Sequence, residues 1–359
     1  MEKNRFYEID LLRFVSAVLV VLFHYTFIGS ALNLAPEPRT DALGEYGRYM
    51  YVGINFFFII SGFVILLSAE DGKPRQFIVS RFIRLYPAYW FCIFLTASAA
   101  ILFNQPTFQV NWSRLLINLT MFQSGFDVQP VDGVYWTLWI ELKFYALVLV
   151  MIWLRLLRFL PWLCGVVLIA SIIGLSMPLA ANTEHFLAGF PHWPGYFSCG
   201  CALYLVKSRG FNWGYGALLL LSVIFCVRQN LVFTELMANW YNVDFKIWVN
   251  VISTLLFFAL LSIVALRKNG LLRDPRFYYL GVLTYPLYLL HEYVGFMMFN
   301  AWHDLIPGPT LVGGVIVFML IAAWLIHRWV EKPLQVFLKR KLQSKAEKSE
   351  INSLSPRHE

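Results

Sequence analysis

Arg13 and His24 are separated by ten residues inside one apolar stretch, Ile9 to Gly29, which reads IDLLRFVSAVLVVLFHYTFIG. On a helix, eleven steps of about 100° leave the two side chains about 20° apart around the axis and about 16 Å apart along it. One face therefore carries a cation near its start and a titratable imidazole deeper in. Ionisable groups inside a lipid-length helix cost a few kcal/mol each on insertion scales, so they line a protein interior or a wet path and mark functional sites. The plainer alternative is a snorkelling arginine and a hydrogen-bonded core histidine.

Three further groups share this character. SRFIRLYP sets Arg81 and Arg84 one helical turn apart, just before a span expected to open at about Leu85. Two guanidiniums on one face make a fork suited to phosphate oxygens, and Arg13 enters the membrane at the same level. A phosphorylated cytosolic donor could dock there; an ordinary basic anchor for lipid headgroups is the alternative. WTLWIELKFY places Glu141 and Tyr145 four residues apart on one face, with Glu141 about five residues below the outer edge of its span. Counted from the same surface His24 lies at a similar depth, so Glu141 could orient the imidazole if the helices pack together. In YLGVLTYPLYLLHEYVGF, His291 and Glu292 fall near mid-membrane but point in different directions, and of the two His291 is the expected cavity wall.

No metal is expected. His185, His192, His303 and Asp304 lack metal-site spacing. Cys92, Cys164, Cys199, Cys201 and Cys226 sit in or beside apolar runs and read as small packing residues.

The elements that must position these groups are membrane helices. The 359 residues are 59% hydrophobic and 14% charged, with mean hydropathy +0.61, too apolar for a soluble domain of this length. The fold class is all-α and polytopic. Apolar runs lie near residues 9–29, 50–68, 85–103, 135–154, 161–180, 191–206, 213–230, 247–266, 279–299 and 310–330. Ten spans put both termini on one side. With that side cytoplasmic, Arg39, Arg48, Arg114, Arg228 and Lys246 fall outside, Lys143 falls within a span, and the remaining lysines and arginines fall inside. This distribution accounts for the net charge of +8 without nucleic acid as a partner. Residues 1–333 read as one transmembrane domain. Residues 334–359 read as a basic cytoplasmic tail, interfacial at first and partly disordered at its end. The longest connection, 104–133, is either an outer cap or a re-entrant segment.

These motifs, taken in order, resemble the acyltransferase 3 family of membrane O-acyltransferases. The resemblance lies in the Arg13 and His24 signature with Asp10 before it, FFFIISGFVI at Phe56 to Ile65, RFIRLYP, the Trp136 to Tyr145 stretch, YPLYLLH ending at His291, and EKPL beginning at Glu331. Leu142 stands where the family often has a second glutamate, and Leu11 where a glycine is usual. The resemblance implies a multi-pass protein of the bacterial cytoplasmic (inner) membrane. It also implies an acyl-CoA donor, commonly acetyl-CoA, and a carbohydrate hydroxyl as acceptor, in lipopolysaccharide O-antigen, exopolysaccharide or a similar glycan. No permanently bound cofactor is implied. On this reading Arg13, Arg81 and Arg84 hold the CoA phosphates, His24 with Glu141 carries the chemistry, and Asp10, Tyr145 and His291 line the cavity. The competing class is a carrier or flippase for a lipid-linked sugar or anionic metabolite, whose path the same charges would line.

Overall fold

The computed structural model describes residues 6–36, 41–174, 193–266 and 274–342. Among these the chain is helical without a strand. The main helices are α1 (Tyr7–Ala31), α2 (Val52–Ala69), α3 (Pro74–Phe103), α4 (Trp136–Trp153), α5 (Leu160–Gly174), α6 (Pro194–Arg209), α7 (Trp213–Tyr241), α8 (Ile247–Leu266), α9 (Phe277–Trp302) and α10 (Gly308–Ile326). Among the described residues, eight helices are long and apolar enough to cross a membrane; α6 and α9 are not among them. Those two are enclosed by protein, α6 buried without a break from Gly195 to Val206 and α9 along most of Gly281 to Phe299. A helix surrounded by other helices need not match the apolarity of one that faces lipid. Eight of the ten expected spans coincide with these helices, and α6 and α9 occupy the positions of the other two. Both chain ends, His185 and His192 lie outside the described residues.

The bundle is organised around α9, which packs against α1, α3 and α10, while α2 joins α1 to α6. At Gly281 of α9 a Cβ would lie 2.4 Å from Asp10 Oδ1, so the glycine lets α1 approach closely. Further along, Tyr25 Oη donates to the carbonyl of His291 at 2.7 Å. His24 opens a π-helical turn, His24–Ile28, closed by the Gly29 amide on the His24 carbonyl. Such one-residue insertions accompany functional positions in helices. A second π-helical turn, His327–Glu331, follows α10, and the helix then continues through Pro333 to Leu342. The expected boundary at residue 333 therefore falls inside a helix.

Helix α3 begins at Pro74 rather than Leu85, with proline in the first turn, where its fixed φ suits a helix start. Arg81 and Arg84 accordingly ride on the helix and do not belong to a loop before it. The 104–133 connection is a folded cap. Arg114 donates to the carbonyls of Gln109, Gln129 and Pro130. Asn118 binds Gln129 and Val131, and Tyr86, Tyr89 and Trp90 of α3 donate to carbonyls at Thr120, Asn118 and Leu119. The end of this cap dips inward and delivers Asp132 and Gly133 to the side of α9.

Candidate active site

His24, His291, Glu292 and Asp132 converge and are buried together. His24 Nδ1 lies 2.7 Å from the Val20 carbonyl, and His291 Nδ1 lies 2.9 Å from the Tyr288 carbonyl. A carbonyl only accepts, so both imidazoles carry their proton on Nδ1. The His24 Nδ1 proton is shared with His291 Nε2 at 3.3 Å, the rings standing edge to face. This leaves His24 Nε2 with its lone pair, facing Glu292 Oε1 at 3.8 Å. Asp132 adjoins Glu292 and accepts the amides of Val134 at 3.3 Å and Tyr293 at 3.1 Å. Burial pushes the Asp132 carboxyl above the usual carboxylate range, and the two amides pull it back. The arrangement is an imidazole whose tautomer is fixed by backbone, with a carboxyl facing its other nitrogen.

A second cluster lies at the opposite end of α1. Arg13 feels the charges of Arg84, Glu141 and Asp10. Arg81 stacks over the Tyr145 ring at 5.7 Å and over Phe77 at 5.9 Å. Tyr145 Oη and Ser61 Oγ both donate to Glu141 Oε1, at 2.8 and 2.9 Å. Arg84 stacks on Tyr285 and donates to the fully buried Glu331 at 3.1 Å. Glu331 also accepts from His327 at 2.7 Å and Gln335 at 3.0 Å, so the second π-helical turn fixes the second arginine. Three guanidiniums converge on one region. The Nε of Arg81 is buried there without a hydrogen-bond partner.

Among the expected site residues, Arg13, Arg81, Arg84 and Tyr145 come together, with Asp10 acting on Arg13, and His291 meets His24. Glu141 does not pair with His24. Helix α4 does not start at the membrane surface: the inward dip of the cap starts it beside Glu292. Tyr135 Oη donates to the Leu289 carbonyl, and Thr137 meets Tyr288, so α4 descends α9 from that point. Glu141 lies eight residues past Gly133, about 12 Å further along, in the arginine cluster. Glu292, set aside because it neighbours His291, is the carboxyl that reaches His24. Two successive side chains about 100° apart can straddle one ring whose two nitrogens point in different directions. The signals available in sequence were the adjacent His-Glu pair in mid-span and the Asp-Gly step entering α4.

A helical membrane body with imidazoles and carboxyls buried together at one depth and a guanidinium cluster at another defines a class: multi-pass membrane proteins with ionisable groups held inside the helix bundle. The family model described as an acyltransferase domain matches residues 6–328, and the chain belongs to that family, acyltransferase 3. Acyltransferase MdmB of Streptomyces mycarofaciens is 23% identical over 92% of both chains. Exopolysaccharide production protein ExoZ of Rhizobium meliloti is 27% identical over 30% of this chain and 35% of its own. Peptidoglycan O-acetyltransferase OatA of Listeria monocytogenes is 26% identical over 47% of this chain and 27% of its own. No solved structure matches the chain.

Proposed function

We propose that the protein transfers an acyl group, acetyl in the simplest case, from cytoplasmic acyl-CoA to a hydroxyl of a surface or lipid-linked carbohydrate at the bacterial inner membrane. The observation that carries this reading is the separation of the two clusters along α1. Arg13, Arg81 and Arg84 suit the phosphates of CoA. A thioester arm reaching along α1 from that end would bring its carbonyl carbon to His24, about 16 Å away. His24 Nε2 then takes the hydroxyl proton as the sugar oxygen attacks the carbonyl carbon. The carbon–sulfur bond breaks, its electron pair leaves on the thiolate, and the proton passes from His24 to sulfur. Glu292 stabilises the imidazolium formed between these steps. The names of ExoZ and OatA support a polysaccharide acceptor.

The test is an NMR comparison of surface glycans from cells with the gene, without it, and with a His24→Ala copy. An O-acyl signal present only with the wild-type gene, on an otherwise intact glycan, is expected. Loss of the whole polymer on deletion would instead favour a carrier.

A further inference from the structure

The carboxyl facing His24 has a neighbour with no assigned role. Asp132 caps the turn Gly133–Tyr135 through Oδ1, which accepts the Val134 amide. Capping needs only one oxygen. Its other oxygen, Oδ2, accepts the amide of Tyr293, the residue after Glu292 on α9. Tyr135 Oη meanwhile donates to the carbonyl of Leu289, one turn before Tyr293. The cap and α9 are thus bonded together on both sides of Glu292. The fit is close: a Cβ on Gly133 would lie 2.4 Å from Glu292 Oε2, an oxygen that is buried without a hydrogen-bond partner.

We infer that Asp132 is a positioning residue of the reaction centre, forming with Glu292 a carboxyl pair that holds one proton and stands behind His24 as counter-charge to the imidazolium. Two buried carboxyls in contact do not both ionise, so they share a proton. The two backbone donors favour charge on Asp132 and the proton on Glu292. When His24 Nε2 takes the acceptor's proton, the imidazolium meets a pair of net charge −1 and the centre becomes neutral. When that proton passes to the departing sulfur, the pair is left as it began, with no proton gained or lost. This rests on the acyl-transfer reading above.

The experiment uses membranes holding the full-length chain, radiolabelled acetyl-CoA as donor and the host's own membrane glycan as acceptor. Asp132→Asn and Glu292→Gln should each lower kcat about 10- to 100-fold, as loss of a buried hydrogen-bond partner does, with KM for acetyl-CoA unchanged. The double variant should be no slower than the slower single, because a unit is lost only once. Multiplied losses, or a raised KM for Asp132→Asn, would mean that Asp132 only shapes the cap, and would overturn the inference. If Asp132→Asn does not accumulate, Asp132→Ser, which keeps the capping oxygen and drops the carboxyl, enters the same cycle. A wild-type chain that transfers no label brings down the acyl-transfer reading and this inference with it; active wild type with multiplied losses brings down the inference alone.

Discussion

The centre at His24 and the cluster at Arg13 both place ionisable groups inside a membrane protein, and they handle charge in opposite ways. Around His24 two imidazoles and two carboxyls are buried against one another. Around Arg13 three guanidiniums face Glu141, Asp10 and Glu331, and Arg84 stays part exposed at 29% while its partner Glu331 is fully enclosed. On the proposed transfer, the groups behind His24 exchange only a proton and can be enclosed by protein. An anion that comes and goes needs standing positive charge and an open side. The burial of each region fits this proposed division.

Variants can break this division of labour. The largest effect is expected for His24→Ala: transfer should fall about 10²- to 10⁴-fold, the usual contribution of a placed base, while equilibrium binding of acetyl-CoA, measured by calorimetry on purified protein, stays as in wild type. Lost binding would show that the two regions are not separable. Gly133→Ala comes next, because its Cβ must displace the Glu292 carboxyl group. A fall in kcat of about tenfold or more is expected, since a small misplacement at a reaction centre costs up to about a hundredfold, with KM for acetyl-CoA unchanged. The smallest effects sharpen the other side. Arg81→Ala should raise KM for acetyl-CoA about tenfold, as loss of a charged hydrogen-bond donor does. Glu141→Gln should change KM by less than that and leave kcat within about threefold, a loss under 1 kcal/mol. If Glu141→Gln lowers kcat as His24→Ala does, Glu141 acts in the reaction centre and the comparison fails.

What could be read from sequence followed from periodicity. The shared face of Arg13 and His24, the bounds of α8 at 247–266, and the grouping of Arg13, Arg81 and Arg84 all follow from counting along one helix or across the charge bias of the loops. Glu141 was misplaced because the depth at which a helix begins depends on tertiary structure. Nothing local in 104–133 reports that Arg114 and Asn118 fold the cap inward before α4 starts. Glu292 was missed for a related reason: the rule that neighbours on a helix diverge holds for a cavity, but His24 is a single ring with two opposed nitrogens. The enclosed helices α6 and α9 carry the weakest span signal, and α9 carries the centre itself. Hydropathy finds lipid-facing walls best, while polar function concentrates where lipid is absent.

The uninterrupted α-helical stretch between Arg13 and His24, with the π-helical turn only after it, works as a ruler. If the donor is an acyl-CoA, as proposed, it measures from phosphate to thioester carbon and is blind to whatever hangs beyond that carbon. On that proposal, discrimination between acetyl and longer acyl groups would belong past His24, where Phe27 meets Tyr241 and Phe245 edge to face. Phe27→Ala is the variant in which acyl-chain preference should broaden, with donor affinity at the far end of the ruler untouched; an unaltered preference among acetyl-, propionyl- and butyryl-CoA would locate the selection elsewhere.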